Sequence, residues 1–426
     1  MFFTLEDPNA KIKGSRDPLG VQPLWARFGR HVIANLTTQT NSVRGFTILL
    51  LGRYLTERAI DEGQLSREFA LDAFLRFEQI GGYVREVAHG AGGDIRGIER
   101  VRLKLEDYNG YVPIQANSAG FILAAQRING LWGLFSVAAR VSGLIPDDRV
   151  GLRPIARDFI DKEYLPILNP CIEQLTRLIS TGGHLDTRTP DIVFSALSEL
   201  LGNSYTESER DFYGKTLRDG LHVKDAPAQR QQIFSQLLSE HTDLEVRSNR
   251  EDLVRITEEA RIVNEELALR LDRISRLEAV LAPAMLLFDF ILTCHGHQLG
   301  DMAEELKSRW KQSVPHIDPQ ENRNLLDEVH YVWTDVVRSS FDRCQQGLAG
   351  GSYFESLTAL LDWHTSVTAR RGGSAWVQIG ANGKLDVRYR GAEQLLPSSD
   401  DLPNLWRNSY FIDSLKSISS QLSISN

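Results

Sequence analysis

The sequence is poor in the features that most often advertise chemistry or location. Three cysteines in 426 residues, Cys171, Cys294 and Cys344, lie far apart. An odd, sparse count excludes a disulfide framework and suits a reducing compartment. Long hydrophobic runs are missing: the longest, Ala279 to Leu292, carries Pro283 and Asp289 and falls short of the roughly 20 apolar residues of a membrane span. The opening Met1-Phe2-Phe3-Thr4-Leu5-Glu6-Asp7 has neither a basic n-region nor a sustained apolar core, so no secretory signal is expected. These absences predict a cytoplasmic protein with no membrane partner. A net charge of −8 excludes a wholesale nucleic-acid coat but permits a local basic patch. Residues 1–58 are such a place, with eight Lys/Arg against four Asp/Glu.

Catalytic signatures are equally scarce. Gly214-Lys215-Thr216 has the closing letters of a phosphate-binding loop, but Glu209 stands where that loop needs its first glycine, and the context is helical. The pairs Gly182-Gly183 and Gly372-Gly373 lack the dinucleotide fingerprint. Glu305-Leu306-Lys307 has a nuclease-like spacing without a strand-borne aspartate before it. There is no Gly-x-Ser-x-Gly elbow and no His-Glu-x-x-His. One stretch holds metal-ligating residue types close together: on a helix, Cys294, His297 and Asp301 would share a face at i, i+3 and i+7, a set zinc could use. No second ligand cluster accompanies it, and polar bundle positions explain the same spacing. No catalytic residue, metal or cofactor is expected, and the balance points away from an enzyme.

What the sequence does contain is a heptad. From Leu253, steps of seven give Ala260, Leu267, Ile274, Leu281 and Phe288; three places on in each heptad come Ile256, Val263, Arg270, Leu277, Ala284 and Ile291. Only Arg270 is polar. Strand side chains alternate every second residue and cannot give this spacing. It predicts one long helix over 253–291, kinked at Pro283, whose apolar seam needs a partner: another helix of this chain or a second copy. The bundle within the chain is preferred, because the apolar flanks near Ala279–Leu292 are wider than a coiled-coil seam.

Around it the chain reads as helices. An arm and helices fill 1–93, with helices at about 22–35, 42–61 and 66–88; Gly81-Gly82 is a possible kink in the last. A helical bundle fills 169–313, and C-terminal helices fill 314–426, the last over about 402–422. Within that last segment, 375–390 changes to period two. Val377, Ile379, Leu385 and Val387 alternate with polar residues about Asn382-Gly383. A three-residue loop opposes Ile379 to Leu385 and Val377 to Val387, with Gly383 left-handed. The apolar face of this hairpin should be covered by the bundle and the last helix, since a lone hairpin is marginal in water.

Residues 94–168 have a different order: a helix over 94–106, a helix ending at Gln126, a turn, Gly130–Val141 as a helix, Gly143–Ile145 and Val150–Arg153 as strands about a Pro146–Arg149 turn, then a helix from Pro154. The segment resembles the winged helix-turn-helix family, on Gly130-Leu131-Trp132-Gly133-Leu134-Phe135, Gly143-Leu144-Ile145 and the Asp147-Asp148 tip. That resemblance implies double-stranded DNA contact through Arg127, Arg140, Arg149 and Arg153, although such modules also serve as protein-binding units. Two further phrases, Gly14–Gly20 with Asn35-Leu36-Thr37-Thr38 and Arg371–Trp376, are similar to uncharacterised bacterial proteins of anti-phage defence clusters. They imply a subunit working beside a separate nuclease or ATPase. The expectation is therefore a mainly α, multi-lobed protein with a long kinked helix, an embedded winged-helix-like module and a small C-terminal β-hairpin. Its expected role is a non-catalytic scaffold or adaptor that binds other protein subunits. A cryptic metal-dependent hydrolase or nuclease and a purely structural homo-oligomer are the alternatives.

Overall fold

The structure is a computed structural model. It describes residues 17–90, 95–147, 150–222, 226–241, 249–311, 313–327, 332–389 and 395–423. The chain is mainly helical, with two small two-stranded antiparallel sheets. No helix of the described residues is long and apolar enough to cross a membrane. The chain forms two compact units: a central unit, Ile33–Thr242 with Phe411–Asn426, and a second unit, Met1–Val32 with Asp243–Tyr410. Neither is a continuous stretch of chain.

The central unit is built on α1, Val43–Asp61, and α2, Ala70–His89. Ser42 caps α1 by accepting the Gly45 N–H at 3.0 Å. From Val43 to Thr56 every residue of α1 is buried, the arginines included, so this helix lies inside the unit rather than on its face. Glycines set how closely it is approached. A methyl group on Gly52 would lie 2.9 Å from Phe77 and 3.0 Å from Phe74; one on Gly81 of α2 would lie 3.1 Å from Ile48. Gly81 and Gly82 thus serve close packing within a helix that runs on to His89. Gly52→Ala is expected to destabilise the central unit by about 1–3 kcal/mol, because rigid rings must shift; chemical denaturation followed by circular dichroism measures it.

Around this pair pack α3, Ile172–Thr181, α4, Ile192–Leu200, and α5, Glu207–Tyr213. Strand β1, Tyr111–Ile114, pairs antiparallel with β2, Gly183–Asp186, Val112 opposite Leu185. Both strands are four residues long and open from left-handed glycines, Gly110 at φ +75° and Gly182 at φ +77°. The sequence reading missed them, since so short a strand carries little alternation.

The winged-helix-like order is not formed. The span expected as one recognition helix, Gly130–Val141, is two short pieces, Leu131–Leu134 and Ser136–Val141, and a third, Gln126–Asn129, precedes them. The pieces part at Gly130 and at Phe135; Gly130 and Gly133 each lie where a side chain would collide, Gly130 with the Glu78 carboxyl and Gly133 with the Ile128 carbonyl. Residues 143–145 and 150–153 form no strands; one backbone bond, Arg153 N–H to Leu144 O at 3.0 Å, joins them.

In the second unit the heptad residues divide between α6, Arg250–Val263, and α7, Glu265–Ile291. The break falls at Asn264, ahead of the expected kink. Asn264 is extended, at φ −158° and ψ 98°, and its side chain caps α7 by accepting the Leu267 N–H at 2.8 Å. The two helices fold back on each other: Arg261 pairs with Asp272 at 2.8 Å, and Arg250 donates to Ser275 O at 2.9 Å. The seam's partner is therefore the next helix of the same chain. Of its twelve positions only Val263, at the turn, and Arg270 escape burial. Helix α7 continues through Pro283. Helices α8, Asp335–Gly350, and α9, Tyr353–Arg370, form a second antiparallel pair.

The C-terminal hairpin has the expected register. Strands β3, Val377–Ile379, and β4, Leu385–Val387, pair with Val377 opposite Val387 and Ile379 opposite Leu385, and Gly383 has φ +75°. Its cover differs from expectation. The last helix, Ile412–Ser423, belongs to the central unit, where its Ser414, Ser417 and Gln421 side chains hold the main chain at Thr37, Asn41 and Val43. The hairpin is held instead by residues 295–298 and by Trp376 against Phe288 and His364.

Candidate functional site

Periodicity treats a charge as a mark of exposure, yet the central unit is organised about charged groups in its interior. Arg44, on the first turn of α1, forms an ion pair with Glu209 of α5, and both side chains are under 5% exposed. Glu209 is also the third helical residue of a capping box: Thr206 Oγ1 accepts the Glu209 N–H at 3.1 Å, and the Glu209 carboxylate accepts the Thr206 N–H at 2.9 Å. Tyr164 donates its hydroxyl to Glu209 at 2.6 Å; the Tyr213 hydroxyl lies 3.4 Å from that of Tyr164 and 3.0 Å from Thr47 Oγ1. Burial works against the Arg44 charge, but the Glu209 hydrogen bond and charge outweigh it, so the Arg44 pKa is raised. Burial also holds the Tyr164 hydroxyl well above its ordinary pKa, aided by Tyr213 and Glu209. Both carboxylate oxygens of Glu209 are in use. This cluster fixes α1 against α5 and keeps its tyrosines as proton donors.

A second buried carboxyl, Glu78 of α2, accepts the Leu131 N–H at 2.6 Å and the Gln126 amide at 2.8 Å. It holds the broken segment 126–141 in place. Burial pushes its pKa up to about 7 against the opposing pull of those donors and of Arg96. A small cavity of about 20 Å³ beside it is lined by Arg44, Arg85 and Arg96 and walled by Ile48 and Ile122.

Gly214-Lys215-Thr216 lies in a π-helical turn, Gly214–Arg218, rather than a phosphate loop. A π register displaces carbonyls from the α-helical ladder. Asn35 Nδ2 donates to Thr216 O at 3.1 Å and Leu217 O at 3.0 Å, and Gln231 Nε2 donates to Leu217 O and Arg218 O. Gln231 Nε2 also donates to Asn35 Oδ1 at 2.8 Å. Asn35, in the phrase Asn35–Thr38, thus works inside the fold.

Residues 17–20, the described part of Gly14–Gly20, meet the neighbourhood of Arg371–Trp376 in the second unit. The Arg371 guanidinium bonds Asp17, at its carbonyl and, at 3.2 Å, its carboxylate. His364 Nδ1 donates to Pro18 O at 3.0 Å while its Nε2 accepts the Trp376 N–H at 2.9 Å. Trp333 Nε1 donates to Gly20 O at 2.9 Å.

Arg127 is exposed on a four-residue helical turn. Arg140 and Arg153 both face Asp147, at 3.5 and 3.6 Å. Arg149 lies outside the described residues. The three that are described share no groove-sized helix. Cys294, His297 and Asp301 do not share a helix face either, because α7 ends at Ile291 and the next helix begins at Leu299. The intervening segment is a strip docked on β4. Gly296 N–H donates to Leu385 O at 2.8 Å, Leu385 N–H to His297 O at 2.9 Å, and Val387 N–H to His295 Nδ1 at 3.0 Å. Cys294 is buried, and burial raises its thiol pKa. Among the described residues no three His, Cys, Asp or Glu stand together as a metal site. No family model, curated protein or solved structure matches the chain.

Proposed function

We propose that this chain is a non-catalytic adaptor subunit of a multi-protein bacterial assembly in the cytoplasm, and that the turn of the α6–α7 hairpin engages a partner protein. The observation that carries this reading is where apolar exposure falls on the α6–α7 hairpin. Positions from Leu267 to Ile291 on that seam are buried, Arg270 apart, whereas at the turn Ile262 is 87% exposed, Val263 59% and Leu269, on the following turn of α7, 47%. Exposed apolar side chains clustered on a rigid hairpin are a contact surface awaiting cover. The similarity of Gly14–Gly20, Asn35–Thr38 and Arg371–Trp376 to proteins of anti-phage defence clusters supplies the setting, with a separate nuclease or ATPase as the partner that does chemistry. Duplex DNA is not part of this reading, since the helix that would carry the contact, Gly130–Val141, is two short pieces.

The test is the paired substitution Ile262→Asp and Val263→Asp. The expected result is an unchanged melting temperature with loss of a stoichiometric partner that co-purifies with the wild-type chain from its own cells. A partner retained by the variant overturns the assignment of the surface. A stoichiometric transition metal in the purified protein, lost with Asp301→Asn, would replace this reading with the metal-dependent hydrolase.

A further inference from the structure

The loop Leu201–Ser204 joins α4 to α5 and is gripped by two buried arginines. Arg85 Nη1 donates to Leu201 O at 2.6 Å, Arg44 Nε to Gly202 O at 2.7 Å, and Arg44 Nη2 to Ser204 O at 2.5 Å. The described peptide bonds are all trans, and in a trans peptide the N–H points opposite to its C=O. Three carbonyls turned in toward the arginines therefore turn the N–H groups of Gly202, Asn203 and Tyr205 out. Among the described residues, no acceptor takes the Gly202 or Asn203 N–H. Outside this loop lies an open groove of about 890 Å³, lined by Gly202, Asn203 and Ser204 and by His89, Pro190, Phe194, Ser195, Ser198 and Glu199. The His89 ring is fixed by its 2.8 Å bond from Nε2 to Ser198 O. The Ser195 and Ser204 side chains are exposed.

We propose that this groove binds a phosphate ester. The phosphate would sit on the Gly202 and Asn203 amides with serine hydroxyls beside it, and the organic part would lie along Pro190. Consecutive outward amides are an anion-binding arrangement. The ends of α2 and α4 also reach this groove, and free helix C-terminal carbonyls would repel an anion. Here Ser198 O is taken up by His89 and His89 O by the Asn203 side-chain amide at 3.4 Å, while Arg85 and Arg44 take the loop carbonyls at Leu201, Gly202 and Ser204; the Glu199 carbonyl, without a donor among the described residues, works against the ligand. The exposed Glu199 carboxylate is the one charge lining the groove that opposes the ligand. It limits affinity for bare phosphate and makes a gain-of-binding variant available.

Amide NMR of the full chain reads the site without altering it. Inorganic phosphate should shift the Gly202 and Asn203 N–H resonances in a saturable way, and sodium chloride at equal ionic strength should not. Adenosine monophosphate should do so at roughly tenfold lower concentration, with adenosine alone silent. Glu199→Gln should tighten phosphate binding roughly three- to tenfold by removing a neighbouring like charge. Equal shifts with chloride, shifts with adenosine alone, no shift at Gly202 and Asn203, or an unchanged affinity in Glu199→Gln would each overturn the proposal.

Discussion

Arg44→Met is expected to destabilise the central unit by about 3–5 kcal/mol, the range for leaving one member of a buried ion pair alone. The substitution strands more than the Glu209 charge. It also leaves Gly202 O and Ser204 O without their donor, and a buried unpaired carbonyl costs about 1–3 kcal/mol. Glu209→Leu should cost a similar amount, since it removes the acceptor for the Tyr164 hydroxyl and half of the α5 capping box. The double variant Arg44→Met/Glu209→Leu should be clearly more stable than the sum of the singles predicts, because no lone charge remains. It should still fall below wild type, because the loop carbonyls and Tyr164 stay unsatisfied. Urea unfolding followed at Trp132, the one tryptophan of seven in this unit, measures the cycle. Additive losses would mean that the pair carries no coupling and that each residue acts through separate contacts.

This pair also shows where sequence reasoning stops. Arg44 and Glu209 are 165 positions apart, and nothing in the local pattern of either announces burial. Arg53 falls in helical phase with Phe46, Leu49 and Leu50, and the structure lays its guanidinium 4.3 Å over the Trp132 ring. Hairpin register was legible because period two admits only one pairing that keeps Val377, Leu385 and Val387 on a common face. The heptad identified the buried positions but not the fold-back. Asn264 followed by Glu265 and Glu266 is a helix start signal, a cap with two acids in the first turn. It went unread because Leu267 continues the count of seven across the turn. Pro283 was the more visible punctuation, yet its missing N–H is tolerated within a helix buried on every side there.

The misreading of 126–153 has the same physical origin in reverse. The run Leu131–Phe135 is apolar and helix-like by composition, but Gly130 and Gly133 are tertiary contacts, each filled by a group from elsewhere in the chain or from the preceding turn. Glu78, 48 positions before Gln126, fixes where the Leu131–Leu134 piece starts by accepting its first N–H. Tertiary hydrogen bonds to one buried carboxyl have overridden a local propensity that favoured a longer helix. The candidate groove was invisible for a further reason: its donors are main-chain groups, which no residue type reveals.

In the second unit, burial of two groups should set opposing pH dependences that nearly cancel. His364 has its Nε2 occupied as an acceptor for the Trp376 N–H, so a proton there would face another proton. Burial, with Arg371 nearby, lowers its pKa to about 4 against the weaker opposing effect of its bond to Pro18. Glu278 is wholly buried and accepts Arg407 N–H at 2.5 Å, Asn408 N–H at 2.9 Å and the Tyr410 hydroxyl at 2.8 Å; burial still raises its pKa to about 6. Between pH 4 and 6.5 the unfolded chain binds a proton at His364 that the folded chain refuses, so stability rises with pH by about 3 kcal/mol in total. Between pH 4.5 and 6 the folded chain keeps a proton on Glu278 that the unfolded chain has lost, so stability falls with pH by about 2 kcal/mol. Over that shared window wild-type urea midpoints, read by the six remaining tryptophans, should stay nearly level. Glu278→Gln should expose the rising limb and His364→Gln the falling one. Two variants with slopes of the same sign, or a wild type as steep as either, would show that burial does not set the protonation state of one of these groups.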